Sequence, residues 1–107
     1  MVVPQLQRVY VTATTGLLAL YKNELTSGWN LYEQAISLAG KDSLRIRLKV
    51  KRDLEMGRAL RRTGAPVAEA KRYFERAAEG PLSARPYVLH AANELKLLRA
   101  GSGGDKG

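Results

Sequence analysis

A chain of 107 residues has room for one domain with a modest core. The absence of cysteine excludes disulfides, thiolate zinc sites and a cysteine nucleophile, and suits a chain that never needs an oxidising compartment. Lysine and arginine number 18 against 10 aspartates and glutamates, and the resulting net charge of +8 points to an acidic partner: nucleic acid, an anionic membrane or an acidic protein.

Met1–Gln7, with Pro4, reads as an extended approach, and Arg8–Thr15, rich in Val, Tyr and Thr, as a short strand or an irregular segment; together residues 1–15 form a lead-in. This stretch has neither the compact apolar block of a secretory signal nor the arginines of a transit peptide. Thr14 or Thr15 suits a helix start, and the apolar spacing predicts one long first helix running to Ala39, where Gly40 stops it. On that helix Leu18, Tyr21, Leu25, Trp29, Tyr32 and Ile36 fall in one stripe at i, i+3, i+4 spacing, and Leu17, Leu20, Leu31 and Leu38 make a second, outward apolar face. Lys22, Asn23 and Glu24 interrupt it, so no apolar run approaches the roughly 20 residues of a spanning helix.

Asp42-Ser43 is the next helix start. Leu44, Ile46, Leu48 and Val50 alternate with basic residues in a strand-like period of two, but the run continues without a turn residue. Ile46, Val50, Leu54, Gly57 and Leu60 form a helical stripe up to Arg62, so a basic second helix is expected, with Leu44 and Leu48 outside the core. Thr63-Gly64-Ala65-Pro66 closes it and opens a third helix from Pro66 to Glu79, with Val67, Ala70, Phe74, Ala77 and Ala78 on one face. Gly80-Pro81 ends that helix. Arg85-Pro86-Tyr87 reads as an extended elbow, because a residue before proline is pushed out of helical space, and a short helix from about Val88 to Arg99 follows. Residues 101–107 read as a flexible, glycine-rich tail. The fold expected is all-α: an up-down-up three-helix bundle over residues 16–80, with the elbow and short helix over 81–100.

His90 is the only histidine, and neither converging metal ligands nor a carboxylate pair accompanies it; the expectation is a non-enzyme with no metal site. Ala70, Tyr73-Phe74 and Ala77-Ala78 resemble the second helix of a tetratricopeptide unit, but only one such unit can be drawn, short of the three or so that a stacked array needs. The tyrosines and Trp29 lie mostly on core stripes or in the elbow, which places an acidic protein ahead of nucleic acid as partner.

Leu20-Tyr21-Lys22 on the first of three helices, a basic second helix, the glycine and proline link and Lys71-Arg72 on the third resemble the LYR-motif proteins of mitochondria. Within that family, Trp29 and the Pro86-Tyr87-Val88 elbow are most similar to the accessory subunits of the respiratory complex I membrane arm. The resemblance implies a non-catalytic adaptor, peripheral on the matrix side of the inner membrane, that binds the mitochondrial acyl carrier protein and docks on membrane-arm subunits of complex I. It implies partner contacts at Leu20, Tyr21, Lys22, Arg45, Arg52, Lys71 and Arg72. An acyl chain on the carrier's 4'-phosphopantetheine, the one cofactor implied, would enter a channel lined by Leu25, Gly57, Ala70, Phe74 and Ala77. Another mitochondrial LYR adaptor, or a small basic RNA-binding protein of a ribosomal particle, is the alternative.

Overall fold

The computed structural model describes residues 4–106, with side chains from residue 4 to residue 100. Over that range it is all-helical: α1 (Pro4–Tyr21), α2 (Leu25–Leu38), α3 (Asp42–Thr63), α4 (Val67–Ala78), a single 3-10 turn (Leu82–Ala84) and α5 (Arg85–Lys106).

The first departure from expectation is at the start, where the lead-in is a helix from Pro4 onward; only Met1–Val3 of that segment lie outside the described residues. Proline is at home in a first helical turn. Val9, Ala13, Gly16 and Leu20 then recur at helical spacing, and Val9, Gly16 and Leu20 are buried. The β-branched residues of this stretch suggested a strand, and tertiary burial of that stripe overrides a weak local preference.

The second departure is that the long first helix is two. The chain turns back at Lys22-Asn23-Glu24, with Asn23 in the left-handed region at φ 66°, a conformation asparagine tolerates better than most residues. The backbone N–H of Asn23 donates to the Leu20 carbonyl at 2.9 Å and that of Glu24 to Ala19 at 2.9 Å, closing α1. A three-residue link between extensively packed helices makes α1 and α2 an antiparallel hairpin. The proposed stripe is thereby split: Leu18 and Tyr21 are exposed at 53% and 54%, whereas Leu20, assigned to an outer face, is wholly buried.

α3 forms as the stripe predicts, starting at Asp42 and ending on Gly64 at φ 80°. Its supposed outer residue Leu48 is buried, however, because the α1–α2 hairpin covers that side: Leu48 packs with Val9, Ala35, Ile36 and Ala39, and Leu44 is partly buried against them. α4 returns along α3, and its face is Ala70, Phe74 and Ala77, with Val67 exposed. The extended elbow is absent. Arg85 is helical at φ −51°, ψ −46°, and Pro86 occupies the first turn of α5, which runs well past Arg99.

The five helices form two similar hairpins and a closing helix, in place of three helices around one interior. The left-handed turn residues Asn23 and Gly64 stand 41 positions apart, as do Gly16 and Gly57 on the first helices and the buried pair Val9 and Val50. On the second helices Gly28, Tyr32 and Ala35 stand 42 positions before Ala70, Phe74 and Ala77, and all six are buried. The same contact organises both hairpins. Tyr32 Cδ2 lies 3.1 Å from where a Cβ on Gly16 would be, and the Phe74 ring lies 2.5 Å from the equivalent point on Gly57. The α1–α2 hairpin therefore repeats the α3–α4 hairpin, a likeness the sequence disguises because tyrosine replaces phenylalanine and glycine replaces alanine. Each hairpin packs on its neighbour, while α1 makes no backbone contact with α4 or α5 and α2 none with α4 or α5, giving a molecule of 59 × 29 × 16 Å.

Candidate functional site

The basic residues of α3 divide into those consumed by the fold and those left at its surface. Arg45 Nε donates to the Ala39 carbonyl at 2.8 Å and so caps the last turn of α2. Arg52, only 12% exposed, stacks on the Trp29 ring at 3.9 Å, pairs with Glu33, and approaches Asp53 Oδ1 at 3.4 Å. Trp29 in turn meets Tyr73 edge-to-face, with ring centroids 5.9 Å apart. These side chains form the seam between the two hairpins, and a partner reaching Arg52 would have to open it.

At the C-terminal end of α3 the arrangement is different. Arg58, Arg61 and Arg62, on adjacent turns, line a notch of about 220 Å³ together with Glu94 of α5. Arg58 Nε donates to Glu94 Oε2 at 2.8 Å and its Nη1 to Glu55 Oε2 at 3.0 Å; Arg61 pairs with the other oxygen of Glu94. Burial alone would lower the Arg58 pKa, but the hydrogen bonds and charges of Glu94 and Glu55 outweigh it and hold the guanidinium above its ordinary value. Glu55 is fully buried; its Oε2 also accepts from Lys51 at 2.6 Å, and its Oε1 has no partner. Arg62 Nη2 donates to the Leu20 carbonyl at 3.2 Å, and the guanidinium stacks on the Tyr21 ring at 4.8 Å. Arg61 is 42% exposed, and Tyr21, stacked on Arg62 at the end of α1, and the next residue, Lys22, are exposed. Three guanidiniums line the notch against two carboxylates, Glu94 paired with Arg58 and Arg61 and Glu55 paired with Arg58, so a positive surplus remains, with planar N–H donors that match carboxylate or phosphate oxygens.

The residues assigned to a partner by resemblance are thus dispersed. Leu20 is core, Tyr21 ends α1 and Lys22 opens the α1–α2 turn rather than standing early on a long helix, Arg45 and Arg52 serve the fold, and Lys71 and Arg72 are exposed on α4. Of the channel residues, Gly57, Ala70, Phe74 and Ala77 do converge, with Leu25 partly buried nearby, but the Phe74 ring fills the space above Gly57. An apolar groove of about 520 Å³ lies elsewhere, lined by Leu6, Val9, Tyr10, Leu38 and Leu44, with Lys41 and Arg47 also in its wall. Arg61, Arg62 and Glu94 were not singled out from the sequence. The spacing of Arg58, Arg61 and Arg62 at i, i+3, i+4 was a signal for the first half of the notch, while Glu94 depends on the path of α5.

Among the described residues no group of three or more His, Asp or Glu side chains is placed to hold a metal ion, and no helix is long and apolar enough to cross a membrane. Comparison with family models, curated proteins and solved structures returns no match.

Proposed function

We propose that the chain is a non-catalytic adaptor that holds an acidic protein at the Arg58–Arg61–Arg62 notch and the adjoining Tyr21–Lys22 turn. The observation that carries this reading is the notch itself: Arg58 and Arg61 share Glu94, Arg58 also holds the buried Glu55, and Arg62, bonded to a backbone carbonyl, brings a third guanidinium to a surface where Arg61 and Lys22 remain exposed. Stacked helical hairpins support it, since such arrays present rigid extended surfaces to partners. The partner's carboxylates would compete with Glu94 for Arg61 and use the remaining donors of Arg62. Opposite charge would speed the approach and fix the orientation.

A narrower form of the reading is an adaptor of the LYR type in a mitochondrial respiratory assembly, with an acyl carrier protein as the acidic partner. The basic surplus and the exposed Tyr21 and Lys22 support it. In that case the acyl chain would lie in the groove between Tyr10 and Leu44, because Phe74 occupies the core position first assigned to it.

Binding to an immobilised chain separates these readings. An acidic carrier protein is expected to bind, to lose at least tenfold in affinity against Arg61→Glu, and to weaken as salt rises. A carrier lacking its phosphopantetheine serine that binds equally well would retain the acidic docking and eliminate the acyl-chain form. RNA that binds more tightly than any acidic protein, with a steep salt dependence, would overturn the adaptor reading altogether.

A further inference from the structure

The hairpin repeat shows which side of α1 is bare. On α3 the side facing the preceding hairpin carries Leu48, Arg52, Met56 and Ala59: Leu48 packs on Val9 and Ile36, Arg52 reaches Trp29 and Glu33, and Met56 and Ala59 pack on Leu20 and Tyr32. Counting back 41 positions gives Gln7, Val11, Thr15 and Leu18 on α1. All four are exposed, Val11 at 65% and Leu18 at 53%, and no described element precedes α1 to cover them.

We propose that this side of α1 is a self-association surface, on which a second copy of the chain packs its own α1 about a two-fold axis. Charge selects the occupant. Each copy carries a net charge of +8, yet α1 contributes a single charged residue, Arg8, over its 18 positions, so this is where two copies meet with least repulsion. An acidic partner finds almost nothing to pair with there. The far end of the stack is a poorer complement: the exposed side of α5 carries Leu89 and Leu97, but Lys96 and Arg99 stand among them, and α1 has no carboxylate to pair with those cations. Head-to-tail growth is therefore disfavoured, and a closed, isologous pair is the symmetric alternative. An 18-residue helix is about 27 Å long, so the pair lies at the small end of specific interfaces and its formation depends on concentration.

Salt distinguishes this contact from the notch. Screening relieves repulsion between two cationic copies, so dimerisation strengthens as salt rises, whereas docking of an acidic protein weakens. Sedimentation or light-scattering mass of the full chain over a concentration series, at low and high salt, is expected to reach twice the 11.8 kDa of one chain. Val11→Glu with Leu18→Glu should return the mass to that of one chain with an unchanged far-ultraviolet helix signal. Mixing that variant with Val11→Lys, Leu18→Lys should restore the pair, and the uncharged Val11→Ser, Leu18→Ser variant should lower the dimer fraction. Leu89→Glu, on α5, should leave the dimer intact. A wild-type chain that keeps the mass of one copy throughout, a Glu variant that keeps the doubled mass, or a dimer broken by Leu89→Glu would overturn the assignment.

Discussion

Arg52 and Arg62 lie on the same helix ten positions apart, and their surroundings give them different work. Arg52 is held by an indole, Glu33 and Asp53 inside a seam, while Arg62 stacks on an exposed tyrosine beside an open notch. The sequence shows both as basic and cannot tell them apart, because the difference is made by Trp29 and Tyr21, which arrive from another hairpin. Asp53 shows what the seam costs. Burial raises its carboxyl pKa above the ordinary value near 3.8, and the charge and hydrogen bond of Arg52 offset that only in part. A folded-state pKa above the unfolded one means that the folded chain holds the extra proton. The stability this contributes is complete below pH ~3.8 and is lost as pH rises through the raised value. Asp53→Asn is therefore expected to gain stability relative to the wild type as pH rises across the weakly acidic range, which paired urea titrations at several pH values would check. A difference that runs the other way would show that Arg52 compensates the charge in full.

At the scale of the element, the hairpin rests on a glycine in the first helix and an aromatic ring in the second. Gly57→Ala would place a methyl group 2.5 Å from the Phe74 ring. Alanine is intrinsically the better helix former by about 1 kcal/mol, but overpacking a filled core costs about 1–3 kcal/mol, so a net loss of up to about 2 kcal/mol is expected in chemical unfolding. A Gly57→Ala variant as stable as the wild type would mean that the ring moves freely. The sequence made some of this legible. α3 announces itself through Asp42-Ser43 at one end and Gly64 at the other, and Ala70, Phe74 and Ala77 are a recognisable face. The α1–α2 hairpin was not legible because its turn is Lys22-Asn23-Glu24, with neither glycine nor proline, and an unbroken apolar stripe runs across it. Leu20-Tyr21-Lys22, read as the beginning of a long helix, marks the end of one.

Across the whole molecule, the stability of stacked hairpins is a sum of units and nearest-neighbour seams rather than the property of one interior. α3 is covered by the first hairpin on one side and by α4 and α5 on the other, with Leu54, Glu55 and Ala59 wholly buried, while α1 and α5 are each covered on one side. Amide hydrogen exchange should consequently be graded, slowest in the middle of α3 and faster towards α1 and α5. Uniform protection from Pro4 to Ala100 would instead indicate a single cooperative core. The same layout explains why the candidate site was only half visible beforehand: Arg58, Arg61 and Arg62 are local neighbours, but Glu94 meets them because two short links fold α5 back along α3. The placement of Trp29 has an experimental consequence as well. It is the chain's only tryptophan, and it touches α3 through Arg52 and α4 through Tyr73. Its fluorescence is thus a native optical gauge of whether the hairpins remain joined, and an event that pries them apart would register as a shift in its emission without any added label.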